Sequence, residues 1–413
     1  MKRILLLLVA ILSFMPGRAD DKAEEPVKVK VLLKNAKSAL KNNNNQEKNE
    51  TALLEALTRE DVDDKQRAEF LYLCSELQRN MNDQQNMKLY LKQEYDTVKF
   101  FNTILKMDKH LLRCDSVEQV IGRFKWRDKA RNTILKYHSN LLSGGKWLLK
   151  RGSAAEAYEH FDTYLRLPDE PMMASQTAIK EDSVLSKVAY WATISAYNAK
   201  QYGNALKYID KALAGVDTSL WASLTEYKVV CLEQTKDTLG YVRTLKQGTK
   251  QYGSHDFFYL NLMDYFMDVD SADVAVKMSK YMLQKQGQRA LYWYGMCQAY
   301  QRLCDYDQMA RCADNTLSLD STFVEAYYMK GVAYLNQATA FSKTMSSDLR
   351  SAKFKRDRVR LNSLFQMARG PLETYRALRP EDKQRWGEPL YTIYLNLNLG
   401  KEFSEIEEEL NAQ

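Results

Sequence analysis

The stretch Ala290 to Thr322 reads ALYWYGMCQAYQRLCDYDQMARCADNTLSLDST, and its landmarks recur in the segments on either side. Trp293 has counterparts in Tyr259 and Tyr327, equally far before and after it. Cys297 has Met263 and Gly331, and Tyr300 has Phe266 and Tyr334, at the same spacing. A fixed period of this length, about 34 residues, marks a repeat architecture. Single units cannot bury their apolar faces alone; stacked, they bury a continuous core and leave a long surface suited to binding rather than chemistry.

Working outward, the next unit begins at Val324 with Tyr327, Gly331, Ala333 and Tyr334. Its second half is late. The alanine expected near Lys343 is best matched by Ala368, followed in register by Leu372, Tyr375 and Pro380, which implies an insertion around residues 338–362. Upstream, Asp256 opens a unit with Tyr259, Met263, Phe266 and Ala275. Gly145, Ala157, Phe161 and Tyr164 form another, as do Ala196, Tyr197, Ala205, Ile209 and Ala212. Leu224 to Tyr252 is a degenerate unit, and Leu390, Tyr394, Phe403, Ile406 and Leu410 make a closing pair. The acids Glu405 and Glu407 to Glu409 give residues 387–413 the polar face of a cap.

This pattern resembles the tetratricopeptide repeat (TPR), whose helix A carries a large aromatic, a small residue and a tyrosine. In the best unit these are Trp293, Cys297 and Tyr300. Met309 is larger than the family's usual alanine on helix B, so looser packing is expected there, and Ser321 stands where proline is common. The resemblance implies an all-α fold, a right-handed superhelix (α-solenoid) of antiparallel helix pairs covering residues 140–413. Residues 20–139 lack the landmarks but keep helical spacing in Lys28 to Leu40 and Ala68 to Leu77, which predicts degenerate helical hairpins. Two segments, Tyr90 to Thr97 and Trp386 to Asn396, are similar to exported, uncharacterised TPR proteins of Gram-negative gut anaerobes.

Composition agrees with a helical chain. Of 413 residues only 16 are glycine and 7 proline, too few breakers for a loop-rich fold. Lys2 and Arg3, the apolar run Ile4 to Met15 and the small residues Gly17 and Ala19 read as a signal peptide, residues 1–19. The run is short for a membrane span. No cysteine lies near the cut at Ala19, the first being Cys74, so the mature chain is expected to be soluble and periplasmic rather than a lipoprotein. Cleavage removes Lys2, Arg3 and Arg18 from the 60 basic residues and none of the 53 acidic ones. The weak positive charge that remains argues against nucleic acid.

No catalytic set emerges, and neither a metal nor a cofactor is expected. His110, His138, His160 and His255 lie far apart and fit no zinc spacing. Gly144-Gly145-Lys146 lacks the glycine at Asn140 and the hydroxyl at Trp147 that a phosphate loop needs. Of six cysteines, only Cys304 and Cys312 face each other across one predicted turn. By the resemblance, the ligand-binding groove is lined by helix A positions: Leu291, Tyr294, Gln298, Gln301 and Arg302, then Tyr328, Val332, Leu335 and Asn336. Aromatics there supply contact area and amides supply hydrogen bonds to a peptide.

Two further patterns have two readings each. Asp precedes Thr97, Ser116, Ser183, Thr238, Ser271 and Ser321, each followed by a small or aliphatic residue or threonine. This resembles the O-glycosylation signal of the same bacterial group, and equally describes helix caps. Within the insertion, Arg350, Lys353, Lys355, Arg356, Arg358 and Arg360 face one acid, Asp357. Such a run is a solvated helix face or a docking patch. The expected function is a non-catalytic scaffold for a protein or peptide of the cell envelope; the alternative is glycan binding or an outer-membrane accessory role. If the signal reading holds, protein isolated from its own cells begins at Asp20. Mass spectrometry that finds Met1 to Ala19 still attached would refute it.

Overall fold

A computed structural model describes residues 27–411, so the proposed signal peptide lies outside the described residues. The chain divides into two compact units, the first ending at Ser183 and the second starting at Val184. Among the described residues every regular element is helical.

The first unit contains α1 (Val29–Asn42), α2 (Gln46–Ala56), α3 (Asp64–Tyr90), α4 (Thr97–Ile121), α5 (Arg127–Lys150), α6 (Ala154–Arg166) and the single turn α7 (Thr177–Lys180). Local chemistry sets its helix ends. Asn43 and Asn45 adopt left-handed backbone and separate α1 from α2. Asp63 starts α3 through a capping box: its carboxylate accepts from Gln66 N at 2.8 Å, and Gln66 Oε1 accepts from Asp63 N at 3.0 Å. Asp96 caps α4 by accepting from Lys99 N at 2.9 Å. Leu32, Ala36 and Ala39 of α1 pack with Leu53 of α2 and Phe70, Leu73 and Leu77 of α3. Gly145 fits the repeat position expected for it: a Cβ there would come within 2.5 Å of the Phe161 ring. The Gly144-Gly145-Lys146 segment lies inside α5 and forms no loop.

The second unit runs α8 (Leu185–Asn198), α9 (Tyr202–Leu213), α10 (Trp221–Gln234), α11 (Thr238–Gln251), α12 (Asp256–Asp268), α13 (Ala272–Lys285), α14 (Ala290–Arg302), α15 (Tyr306–Leu319), α16 (Val324–Ser342), α17 (Ala352–Leu378), α18 (Lys383–Asn396) and α19 (Gly400–Asn411). The period is visible in the helices themselves. Helices A begin at Asp256, Ala290 and Val324, and helices B at Ala272 and Tyr306, in steps equal to the sequence period. Successive pairs close in the same way. Lys236, Asp270 and Cys304 take left-handed backbone, with φ of 61°, 52° and 54°. The residue after each donates its N–H back to Leu232, Phe266 or Tyr300, at 2.9, 2.8 and 3.0 Å. This is the Schellman closure, made here without glycine.

Packing follows the landmarks. Tyr259, Met263, Phe266, Cys297, Gly331, Ala275, Ala313 and Ala368 are all buried. Met309 is fully buried, and Cys297 Sγ donates to its carbonyl at 3.2 Å, so the flexible thioether is accommodated inside the pair. Cys304 is exposed and Cys312 buried, and both are free thiols.

The insertion lengthens an existing pair. One period after Val324 falls on Arg358, yet the next helix A, α18, starts only at Lys383. The extra residues continue α16 to Ser342 and start α17 at Ala352, making a long hairpin. Ala338, Leu364 and Phe365 are buried along it, with Phe341 and Leu361 packed beside them. At the other end of the unit, Arg369 Nη2 reaches Glu402 at 3.1 Å and Arg376 pairs with Glu409, holding α19 on α17, while Glu405, Glu407 and Glu408 face solvent.

Gly331 marks a close contact between α16 and α17. A Cβ there would run into Leu372 Cγ and lie 3.2 Å from Ala368 O. Gly331→Leu should therefore overpack the pair and lower stability by about 1–3 kcal/mol or more. A denaturant midpoint equal to that of the parent would contradict this.

Candidate binding face of the second unit

Helical spacing decides which side chains of α12, α14 and α16 are left over once the packing positions are filled. Tyr294 and Tyr328 share one register position, and Leu260 of α12 is its earlier counterpart. Gln298 and Val332 share another, with Asp264. Arg302 and Asn336 share a third, with Asp268.

The structure leaves most of the expected groove residues accessible. Leu291, Tyr294, Gln298, Gln301, Tyr328, Leu335 and Asn336 are half-buried, and Arg302 is exposed. Val332 departs from the expectation. It is only 8% exposed and belongs to the core of the unit.

Around Tyr294 and Tyr328 the face holds a ring and charge cluster. Tyr294 packs on Phe323 with ring centroids 4.8 Å apart. Burial, reinforced by the Glu325 carboxylate, pushes its phenol up to about 12. Tyr328 is covered by Arg385 of α18, whose guanidinium sits 3.9 Å above its ring, and lies 5.2 Å from the Tyr375 ring. Arg385 Nη1 also reaches Glu325 Oε2 at 2.6 Å and donates to Tyr375 Oη at 3.0 Å. Tyr375 in turn donates to Asp382 Oδ2 at 2.6 Å. Tyr328 is thus partly committed to structure rather than offered whole to a ligand.

Glu325, Arg385 and the α12 residues escaped the sequence reading. The register of the repeat points to Asp264 and Asp268. Arg385 gives no such signal, because the insertion separates it in sequence from the helix it covers. Asp264 sits in a cleft of about 630 Å³ with Glu233, Tyr241, Asn261, Tyr265 and Asp268. Its carboxyl is raised above the usual range by burial and then by the charge of Asp268.

A second cavity, of about 530 Å³, opens between α13, α14 and α15. Trp293 and Tyr300 line it with Gln284, Gln288, Gln308 and Asn315. Trp293 Nε1 donates to Gln288 Oε1 at 3.0 Å.

The remaining expected residues are dispersed. Arg350, Lys353, Lys355, Arg356, Arg358 and Arg360 are all exposed on the hairpin. Thr97, Ser183, Thr238, Ser271 and Ser321 lie at helix starts or in turns. Capping accounts for two of their aspartates, since Asp96 and Asp237 accept from backbone N–H groups at 2.9 Å. Ser116 instead lies within α4, where its hydroxyl donates to Leu112 O at 3.0 Å, so it occupies no turn. The histidines stand apart: His110 meets Glu50 at 2.7 Å, His255 meets Glu226 at 2.8 Å, and His138 stacks on Tyr164 at 4.0 Å. His160 is buried, its ring 3.0 Å from Glu156 O. Among the described residues no group of three His, Cys, Asp or Glu is placed to hold a metal ion, and no helix is long and apolar enough to cross a membrane.

The Arg385 contacts give a test of the cluster. Arg385→Met keeps an apolar stem but leaves Glu325 without its partner and uncovers Tyr328. The expected loss is about 1 kcal/mol, shrinking as salt is added. A loss that does not respond to salt would remove the charge from the account.

No family's sequence model matches the chain, and no curated protein matches it. Solved structures do resemble it. One is a TPR repeats protein from Bacteroides fragilis, 18% identical over 62% of this chain and 98% of that one, with a TM-score of 0.33. Another is the C-terminal part of a TPR repeat-containing protein from Cytophaga hutchinsonii, 14% identical over 61% and 92%, with a TM-score of 0.35. A tetratricopeptide repeat protein from Parabacteroides merdae is 9% identical over 62% and 98%, with a TM-score of 0.25. On its own repeating register and its antiparallel helix pairs, the chain is an all-α, tetratricopeptide-like repeat protein.

Proposed function

We propose that the protein is a non-catalytic binding scaffold of the cell envelope, and that the helix A face of α12, α14 and α16 holds a segment of a protein partner. The observation that carries this reading is the row of half-exposed aromatic and amide side chains, Tyr294 and Gln298 followed by Tyr328, Leu335 and Asn336. Carried by α14 and α16 in succession, such side chains would line the path of an extended or helical peptide laid across the helices. Rings supply buried area, and amides satisfy a peptide's backbone groups. The envelope location rests on the signal-like sequence of residues 1–19.

A second reading, glycan capture, has one observation in its favour. The cavity beside Trp293 and Tyr300 combines flat rings with several amides, a lining suited to the apolar faces and hydroxyls of a sugar.

Site-specific photocrosslinking separates these readings. A photoreactive residue at Gln298 or Asn336 should yield a discrete protein adduct in cells, and one at exposed Lys277 should not. With the recovered partner purified, Tyr294→Ala with Gln298→Ala should weaken binding by about 2 kcal/mol or more while helix content stays unchanged. Adducts arising from Lys277 alone, or undiminished affinity in the double variant, would place the partner elsewhere.

A further inference from the structure

The six cations of the α16–α17 hairpin have no partner among the described residues that explains their clustering. No carboxylate there pairs with any of them, and Arg360 alone makes a specific contact, 4.7 Å from the Phe341 ring. Asp357, the acid in their midst, is half-buried and accepts from Ser346 N at 3.3 Å, and the exposed loop acid Asp348 accepts from Arg350 N at 3.0 Å, so two acids leave the hairpin a clear excess of positive charge. Lys343, also exposed, adds a seventh cation at the loop.

Their arrangement on the helix is informative. Phe354, Asp357, Leu361 and Leu364 form the stripe of α17 turned away from solvent. At about 100° per residue, the others fan over roughly 220° of the opposite circumference, from Arg358 through Lys355, Arg356 and Arg360 to Lys353. Val359 sits at the middle of that arc and is 71% exposed. Leu349, in the loop beside Arg350, is 69% exposed. Val359 is thus an exposed aliphatic side chain with long basic side chains on both sides, and Leu349 stands exposed between Asp348 and Arg350.

We propose that this hairpin docks the protein on the surface of a bilayer rich in anionic phospholipids. The surface is convex, so it cannot enclose a peptide as a groove does. An acidic polypeptide would call for cations at the centre of the arc, where Val359 stands. A headgroup layer meets both demands. Val359 and Leu349 enter the boundary between headgroups and acyl chains, and the flexible Lys and Arg stems reach down from the flanks to separate phosphates. Electrostatic attraction falls off within a Debye length, so the contact holds at moderate salt and releases at high salt. This inference does not rest on the groove: one site holds a partner, the other a location.

Vesicle cosedimentation with the full chain tests it, using phosphatidylcholine alone and phosphatidylcholine with roughly a third phosphatidylglycerol. The apolar run Ile4 to Met15 is flanked by Lys2, Arg3 and Arg18 and would itself favour anionic vesicles, so the hairpin is read from the difference between the parent and its glutamine variant on the same vesicles. The expected result is binding specific to the anionic vesicles and lost at high salt. Replacing Lys353, Lys355, Arg356 and Arg358 with glutamine should weaken it at least a hundredfold, since each cation contributes about a fivefold factor. Arg356→Lys with Arg358→Lys should retain it, which separates charge from fold. Anionic binding undiminished by the four glutamines would overturn the proposal. So would a parent protein that ignores anionic vesicles but is retained on polyglutamate, which would assign the hairpin to an acidic polypeptide.

Discussion

The helix pairs of the second unit, the elongated one apart, each depend on one residue held in left-handed backbone. Without it, helix A would run on, and the polar ends of its last turn would have no partner. The turn folds the following N–H back onto a carbonyl of helix A, and the next helix starts within a residue or two. That fixes where helix B lies, which fixes which side chains must be small. Cys297 is small because the turn brings the facing helix so close. The energetic cost of left-handed backbone at Lys236, Asp270 and Cys304 is accepted at each pair for the sake of the same geometry.

Once pairing is fixed, each helix A has little freedom left, and the binding face is what remains. Tyr294 and Tyr328 are drawn partly into structure by Phe323, Arg385 and Tyr375. A face built this way is preorganised, since its rings are already held by neighbours and lose less rotamer freedom when a ligand arrives. The same support limits how much ring surface is free.

The sequence announces what packing repeats and conceals what packing does not constrain. Trp293, Cys297 and Tyr300 and their counterparts were legible because packing between helices, full at Cys297 and partial at Trp293 and Tyr300, restricts those positions to a few residue types. The left-handed turns were not: glycine is their usual sign, and lysine, aspartate and cysteine stand there instead. The insertion was legible as a delay in register, and its charged run is a solvated helix face in the structure; that it lengthens both helices of one pair was not legible. Val332 was placed on the groove by its repeat position, shared with Gln298, but the apolar side chain there joins the core instead. In the first unit, α3 and α4 run to 27 and 25 residues. Gln78, Asn82, Asp108, His110, Asp115 and Glu118 are buried along them and interrupt the apolar stripe by which a long helix is recognised.

The position of the insertion within a pair, rather than between pairs, separates two kinds of stability. Residues near Gly331, Ala368 and Leu372 are held by the stack on either side. The distal hairpin, from about Thr339 to Asn362, is held mainly by its own two helices. Its amide hydrogens can therefore exchange through fraying of the hairpin alone, while those of α14 and the proximal half of α17 exchange only when the stack opens. Two timescales of motion are thereby written into one continuous helix. Heat, proteases or a change of surroundings acting on the tip leave the register of α14, α16 and α18 undisturbed.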